Sequence, residues 1–135
     1  MLVPILALCA CAAVARADSL EAMAERAAAD IVYEQERMHL KDFRAQLHAP
    51  GKSEEEREAM ISDALHALAA CKVTKGIEYA REHDLPAESV LGWLASWELS
   101  AEYANELSRL DIAAFYENQK PCADAFFEAL PMRDR

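Results

Sequence analysis

Apolar residues recur at helical spacing along most of this chain, and the alternation of apolar and polar residues typical of strands is absent. Gly occurs only three times, whereas Ala, Glu, Leu and Arg are frequent, a composition that favours helices. The pattern therefore predicts an all-α fold, a small helical bundle of about five helical segments.

The first predicted helix opens at Asp18 or Ser19 and runs to about Leu47, where Pro50-Gly51 stops it. It carries one apolar stripe made of Leu20, Ala24, Ala27, Ile31 and Met38. A second stripe points in nearly the opposite direction and consists of Val32, Leu40, Phe43 and Leu47. Two interpretations follow: either the helix kinks between residues 34 and 38, or its two ends face different neighbours.

The second predicted helix begins with a capping box formed by Ser53 and Glu56. Its buried face is expected to contain Ile61, Ala64, Leu65 and Leu68, with Cys71 at the edge of that face. Gly76 indicates either a break or close packing against a neighbour, and a short helical segment follows it.

The Leu85-Pro86 pair predicts the start of the next helix, because a Pro in the first turn lacks only an N–H that would have no helical partner. Two apolar stripes half a turn apart predict a bend or a new helix near residues 96–100. Pro121 is expected to end that segment. A final short helix would then carry Cys122, Phe126, Phe127 and Leu130.

Residues 1–17 have the pattern of a secretory signal peptide, with an apolar run from Leu2 to Val14 and a small-x-small cleavage site ending at Ala17. The run is shorter than the roughly 20 residues that a membrane span needs, so no membrane span is predicted. Residues 18–135 form one predicted helical domain. Lipid attachment at Cys11 and a retained N-terminal helix are the alternatives.

The net negative charge of the chain argues against several classes of function. The whole chain has a formal charge of −10, and the predicted mature part holds all 24 acidic residues. Such acidity argues against nucleic-acid binding and against retention on an anionic membrane. It suits an extracytoplasmic protein, periplasmic or secreted, and a basic protein partner would complement it.

The predicted leader contains two of the four cysteines, which leaves Cys71 and Cys122 in the mature chain. Two thiols in an oxidising compartment predict one disulfide bond. A zinc site with two Cys and distant His ligands is the alternative, although neither Cys has a second ligand at zinc spacing.

Two helical pairs resemble metal-binding spacing, namely Glu36-x-x-His39 and Asp63-x-x-His66. The second pair lies opposite the apolar stripe of its helix and is expected to face solvent, so no metal site is predicted. No haem-attachment motif, nucleophile elbow or phosphate-binding loop occurs in the sequence. The sequence therefore predicts no cofactor and no catalytic residue.

Trp93 and Trp97 lie four residues apart and are either core residues or a binding surface for a partner or ligand. The leading hypothesis is a non-enzymatic protein-binding protein of the inhibitor, immunity or small chaperone type. The alternative is a carrier of a small apolar ligand in the bundle core, and a metalloprotein or enzyme has less support. A homodimer would cover the surplus apolar surface of the first helix.

Overall fold

A computed structural model describes the backbone of residues 3–96 and 111–133, and the side chains of residues 19–95 and 111–133. Four helices account for most of these residues: α1 (Val3–Gln46), α2 (Glu54–Glu82), α3 (Ala87–Ser96) and α4 (Ile112–Ala129). The predicted all-α bundle is confirmed. Helix α2 is central, because it packs against each of the other three helices.

Helix α1 is continuous through residues 34–38, and contacts near its middle and its C-terminal end show the second interpretation, that different parts of the helix face different neighbours. Near the middle of α1, Ala27 is buried and lines a surface cavity together with Leu91 of α3. Near its C-terminal end, Phe43 contacts Phe126 of α4. The two apolar stripes of α1 therefore face different neighbouring helices, α3 and α4. The predicted signal-peptide cleavage site after Ala17 lies within this helix.

Ser53 caps α2 as the sequence predicts, since its side-chain oxygen accepts a hydrogen bond from the Glu56 backbone N–H at 3.1 Å. The break expected at Gly76 is wrong, and the close packing is correct. A Cβ at position 76 would lie 2.7 Å from Leu94 Cδ1 and 3.3 Å from Val90 Cγ1. A Gly is therefore what allows α3 to approach α2 this closely.

Helix α4 begins at an Asp111 cap, whose carboxylate accepts the Ala114 backbone N–H at 3.2 Å. Pro121 lies inside this helix, so the expected end of a helix at that position is wrong. The residues on both sides explain the continuity. Phe115, Cys122 and Phe126 are all buried on one face of α4, and their packing offsets the hydrogen bond that Pro121 cannot donate.

Cys71 and Cys122 form the predicted disulfide bond, which joins α2 to α4 across a Cα–Cα distance of 5.6 Å. The segment after α4 pairs with the end of α1. The Arg133 backbone N–H donates to the Gln46 carbonyl at 2.9 Å, and His48 N–H donates to the Pro131 carbonyl at 2.9 Å. Within the described part of the chain, no helix is both long enough and apolar enough to cross a membrane.

Candidate binding surfaces

Two aromatic clusters lie along α4, one near each end of the helix. We call them the Trp93 cluster, made of Tyr79, Trp93, Phe115 and Tyr116, and the Phe126 cluster, made of His39, Phe43, Phe126 and Phe127. The disulfide at Cys122 lies between them along the helix.

The Trp93 cluster is built around Phe115, which is only 1% exposed. Trp93 packs edge-on against Phe115 with ring centroids 4.6 Å apart, and Tyr79 does the same at 5.2 Å. Trp93 is half-buried, so it contributes both to the core and to the surface. Edge-to-face pairs of this kind hold the indole in one orientation.

The surface part of this cluster continues onto α4. Tyr116 is 55% exposed and lies 6.3 Å from the Trp93 ring, and Ile112 is 56% exposed one turn earlier on the same helix. We call Trp93, Ile112 and Tyr116 the aromatic patch. Trp97, the second predicted binding residue, lies outside the described residues.

Acidic groups accompany the aromatic patch. Asp111 precedes Ile112 and Glu117 follows Tyr116, and both side chains are exposed. The Tyr79 hydroxyl donates to the Asp111 backbone carbonyl at 3.5 Å. Burial raises the pKa of Tyr79, and the nearby Asp111 carboxylate raises it further, whereas the backbone hydrogen bond acts in the opposite direction. Two exposed acidic side chains, Asp111 and Glu117, thus flank Ile112 and Tyr116 along the chain.

The Phe126 cluster forms part of a groove between α1 and α4, with α2 as its floor. Ring contacts run along it: His39 to Phe43 at 5.8 Å, Phe43 to Phe126 at 5.4 Å, and Phe126 to Phe127 at 5.4 Å. The groove has a volume of about 200 Å³ and is lined by Gln35, His39, Phe43, Leu68, Lys72, Ala123, Phe126 and Phe127.

Among the residues that line this groove, Lys72 carries a formal positive charge. Burial lowers the pKa of its ammonium group, because desolvation disfavours the charged form. Its backbone is firmly placed, since the adjacent Cys71 is bonded to α4 and the Lys72 carbonyl accepts a hydrogen bond from Gln119 Nε2 at 3.2 Å. No carboxylate is among the eight lining residues, although the chain has 24 acidic residues.

The remaining chemical candidates are dispersed. Asp63 and His66 are exposed, and Nδ1 of His66 is 2.8 Å from the Ser62 carbonyl one turn earlier on α2. His39 lines the groove, whereas Glu36 is not among the residues that line it. Among the residues that the structure describes, no three or more His, Cys, Asp or Glu side chains are grouped to hold a metal ion.

The sequence interpretation missed the groove as a site. Its signals were present in the adjacent pair Phe126-Phe127 and in Phe43 on the second stripe of α1, but these were interpreted only as apolar positions. The contribution of Lys72 has no sequence signal, because its burial depends on how α1 and α4 flank α2.

No protein-family model, curated protein or solved structure matches this chain. Its function is therefore inferred from the geometry and charge of the molecule alone.

Proposed function

We propose that this chain is a non-enzymatic extracytoplasmic protein-binding protein, of the inhibitor, immunity or small chaperone type, and that it binds its partner through the aromatic patch. The observation that carries this proposal is the exposure of Tyr116 and Ile112 beside the half-buried Trp93.

Aromatic side chains at a surface favour protein partners for a physical reason. Trp and Tyr supply large contact areas with few rotatable bonds, so they lose little entropy when a partner immobilises them. Trp93 is already held by Phe115 at 4.6 Å, which lowers that entropic cost further. Tyr116 and Ile112 would lose most of their exposed apolar area to the partner, and this burial would favour association.

The charge around the patch favours a basic partner. Asp111 and Glu117 flank the patch, and the chain as a whole carries a formal charge of −10. A basic surface would gain from both the local and the long-range field, which raises association rates. Two copies of this chain would instead bring like charges together, so a homodimer through this patch has less support.

The alternative function, a carrier of a small apolar ligand in the bundle core, is supported less well. Core residues from three helices are almost fully buried, among them Ile31 of α1, Leu65 of α2 and Val90 of α3. The contact of Gly76 with Val90 and Leu94 indicates close packing along the α2–α3 interface. An apolar ligand would have to displace these side chains.

Affinity capture from an extracytoplasmic extract tests the proposal. The bait is the mature chain, and the variant is the double substitution Ile112→Ser with Tyr116→Ser, which leaves buried Phe115 intact. We expect one basic protein in stoichiometric amount, and about a tenfold or greater loss of its affinity with the double variant, as for loss of a central interface contact.

Tyr33→Ser is the matched control, because Tyr33 is 63% exposed on α1 and is not part of the aromatic patch. This control should capture the partner as the unsubstituted chain does. Capture should also weaken as the salt concentration rises above about 0.15 M, where exposed charges are largely screened. Failure to capture any stoichiometric partner, or equal capture by the double variant, would contradict the proposal.

A further inference from the structure

We infer that Cys71 is the sulfur at which the Cys71–Cys122 disulfide exchanges with external thiols, so that a mixed disulfide of this chain forms on α2 and not on α4. The reactant is a thiol or a dithiol, such as glutathione or the paired cysteines of a dithiol oxidoreductase. The inference rests on the disulfide and on the unequal burial of its two ends. It goes beyond the proposed function, because it involves neither the aromatic patch nor a partner bound there.

The two cysteines differ in their exposure to solvent. Cys122 is only 1% exposed and lies on the buried face of α4, with buried Gln119 one turn before it and buried Phe126 one turn after it. Cys71 is partly exposed on α2. Because the backbone of a residue inside a helix is largely covered by the helix itself, the exposed area of Cys71 belongs mostly to its Cβ and Sγ atoms. A reagent can therefore reach the disulfide from α2.

The surface of α2 on one side of Cys71 consists of small side chains. They are Ala67, Ala70 and Thr74, and all three residues are exposed. Helical geometry places the three on the same side of Cys71, whereas buried Leu68 lies on the other side, toward the core. Side chains of this size do not shield a neighbouring sulfur, so an incoming thiolate has an open approach to Cys71 from this side.

The chemistry of exchange depends on which sulfur can be reached, because a thiolate attacks one sulfur and expels the other. Attack on Cys71 Sγ forms a bond between this atom and the incoming sulfur, and Cys122 Sγ leaves with the electron pair as a thiolate, which then takes a proton. The second thiolate of a dithiol next attacks the incoming sulfur and expels Cys71 as a thiolate. The dithiol is thereby oxidised to its disulfide, and the chain is reduced by two electrons. Formation of the bond runs through the same steps in reverse, with Cys122 as the resolving thiol.

The first test uses the oxidised, folded chain without any substitution. The chain is incubated with glutathione, and a pulse of N-ethylmaleimide blocks the expelled thiol before the disulfide can close again. Peptide mass mapping then identifies the group carried by each cysteine. We expect glutathione on Cys71 and maleimide on Cys122 at least about tenfold more often than the reverse, since a buried sulfur reacts only after α4 opens locally.

Reducing the chain in concentrated urea provides the control for intrinsic reactivity. In the unfolded chain, Cys71 and Cys122 should react with iodoacetamide at nearly equal rates, because neither is buried. This control attributes the preference for Cys71 to the fold rather than to the residues that adjoin it in the sequence.

A matched pair of substitutions on α2 tests the direction of approach. Side chains on a helix lean toward its N-terminus, so a large residue at position 74 covers Cys71, whereas one at position 67 leans away from it. Thr74→Trp should therefore slow the reaction of the folded chain with glutathione severalfold, and Ala67→Trp should leave the rate unchanged. Both positions are exposed, so neither substitution disturbs the core.

Three results would overturn the inference: glutathione mainly on Cys122, glutathione equally distributed between the two cysteines of the folded chain, or equal rates for Thr74→Trp and Ala67→Trp. Because the reaction starts from the oxidised chain, it does not require the reduced chain to remain folded. Its outcome is also independent of the capture experiment on the aromatic patch, since no protein partner takes part.

Discussion

The two aromatic clusters repeat one arrangement at opposite ends of α4. Each contains two adjacent rings, Phe115-Tyr116 and Phe126-Phe127, and in each pair the first ring is buried while the second is exposed. Eleven residues separate the pairs, which is close to three helical turns, so both pairs have the same orientation on the helix. The same face of α4 is thus held against the rest of the protein at two positions, by the buried rings of Phe115 and Phe126.

The clusters differ in what surrounds them. The Trp93 cluster contacts α2 and α3 and adjoins the acidic residues Asp111 and Glu117. The Phe126 cluster borders a groove whose charged group is Lys72. The charged residues beside the two clusters therefore have different origins: Asp111 and Glu117 lie at the start and in the second turn of α4 itself, whereas Lys72 lies on α2.

The first prediction concerns stability and has the largest expected effect. Phe115→Ala should lower the free energy of unfolding by about 3–5 kcal/mol, since it removes a ring that is 1% exposed and leaves a cavity. Tyr116→Ala should change it by no more than about 0.5 kcal/mol. Phe126→Ala and Phe127→Ala should repeat this difference at the other end of α4. Urea unfolding of the four variants measures it.

A large loss of stability with Tyr116→Ala, comparable to that with Phe115→Ala, would contradict the division of each ring pair into a buried and an exposed residue. It would mean that the Tyr116 side chain stabilises the fold by packing within it and is not accessible to a partner. The Tyr33→Ala variant provides the baseline for an exposed aromatic residue on another helix.

The second prediction concerns the disulfide that lies between the clusters. Replacing Cys71 and Cys122 with Ala should cost about 2–4 kcal/mol, because the bond closes a loop with a sequence separation of 51 residues in the unfolded chain. The groove should loosen more than the aromatic patch, since Lys72 and Ala123, the next residues after the two cysteines, line it.

Hydrogen exchange measures, residue by residue, whether loss of the disulfide loosens the groove more than the aromatic patch. Faster exchange should be concentrated at the amides around Leu68, Lys72 and Ala123, with smaller changes around Phe115. Ala125→Ser, at an exposed position on α4, is the control for substitution on this helix. Equal loosening at both clusters would show that the disulfide holds α4 as a whole rather than the groove.

The helices and the disulfide could be predicted from the sequence because their signals are local or countable. Apolar stripes define α1 and α2, and Ser53 caps α2 as its spacing to Glu56 predicts. The cysteine pair followed from counting once the predicted leader was set aside. Pro121 was misjudged because its local preference is overridden by the packing of Phe115 and Phe126 on either side.

The sequence pointed to one candidate binding surface, at Trp93, but not to the groove, because only local patterns can be identified in a sequence. Trp93 was a candidate from the sequence, either as a core residue or as a binding surface, and the structure places it half-buried between the two. The groove combines residues from α1, α2 and α4, and its first and last lining residues, Gln35 and Phe127, have a sequence separation of 92. No local pattern reports that such distant side chains meet. Only the placement of the helices does.

The smallest expected effect concerns the charge of Lys72, which lines the groove beside the Phe126 cluster. Burial lowers the pKa of Lys72 in the folded chain relative to the unfolded chain. Between those two values the unfolded state binds more protons, so stability contributed at this position rises with pH. The cost of the buried charge is therefore fully present below the folded pKa and disappears as pH approaches the unfolded value of about 10.4.

Lys72→Met removes this cost at every pH. The variant should gain stability relative to the unsubstituted chain near neutral pH, and this gain should shrink as the pH rises toward about 10.4. Urea unfolding of both chains at a series of pH values gives the difference, and Lys75→Met corrects for the general loss of a positive charge on α2. Because the pKa of Tyr79 is also raised in the folded chain, only the difference between the two chains isolates the contribution of Lys72. A difference that does not change with pH, or that matches the one for Lys75→Met, would show that the groove does not desolvate Lys72 and would remove the electrical contrast between the two ends of α4.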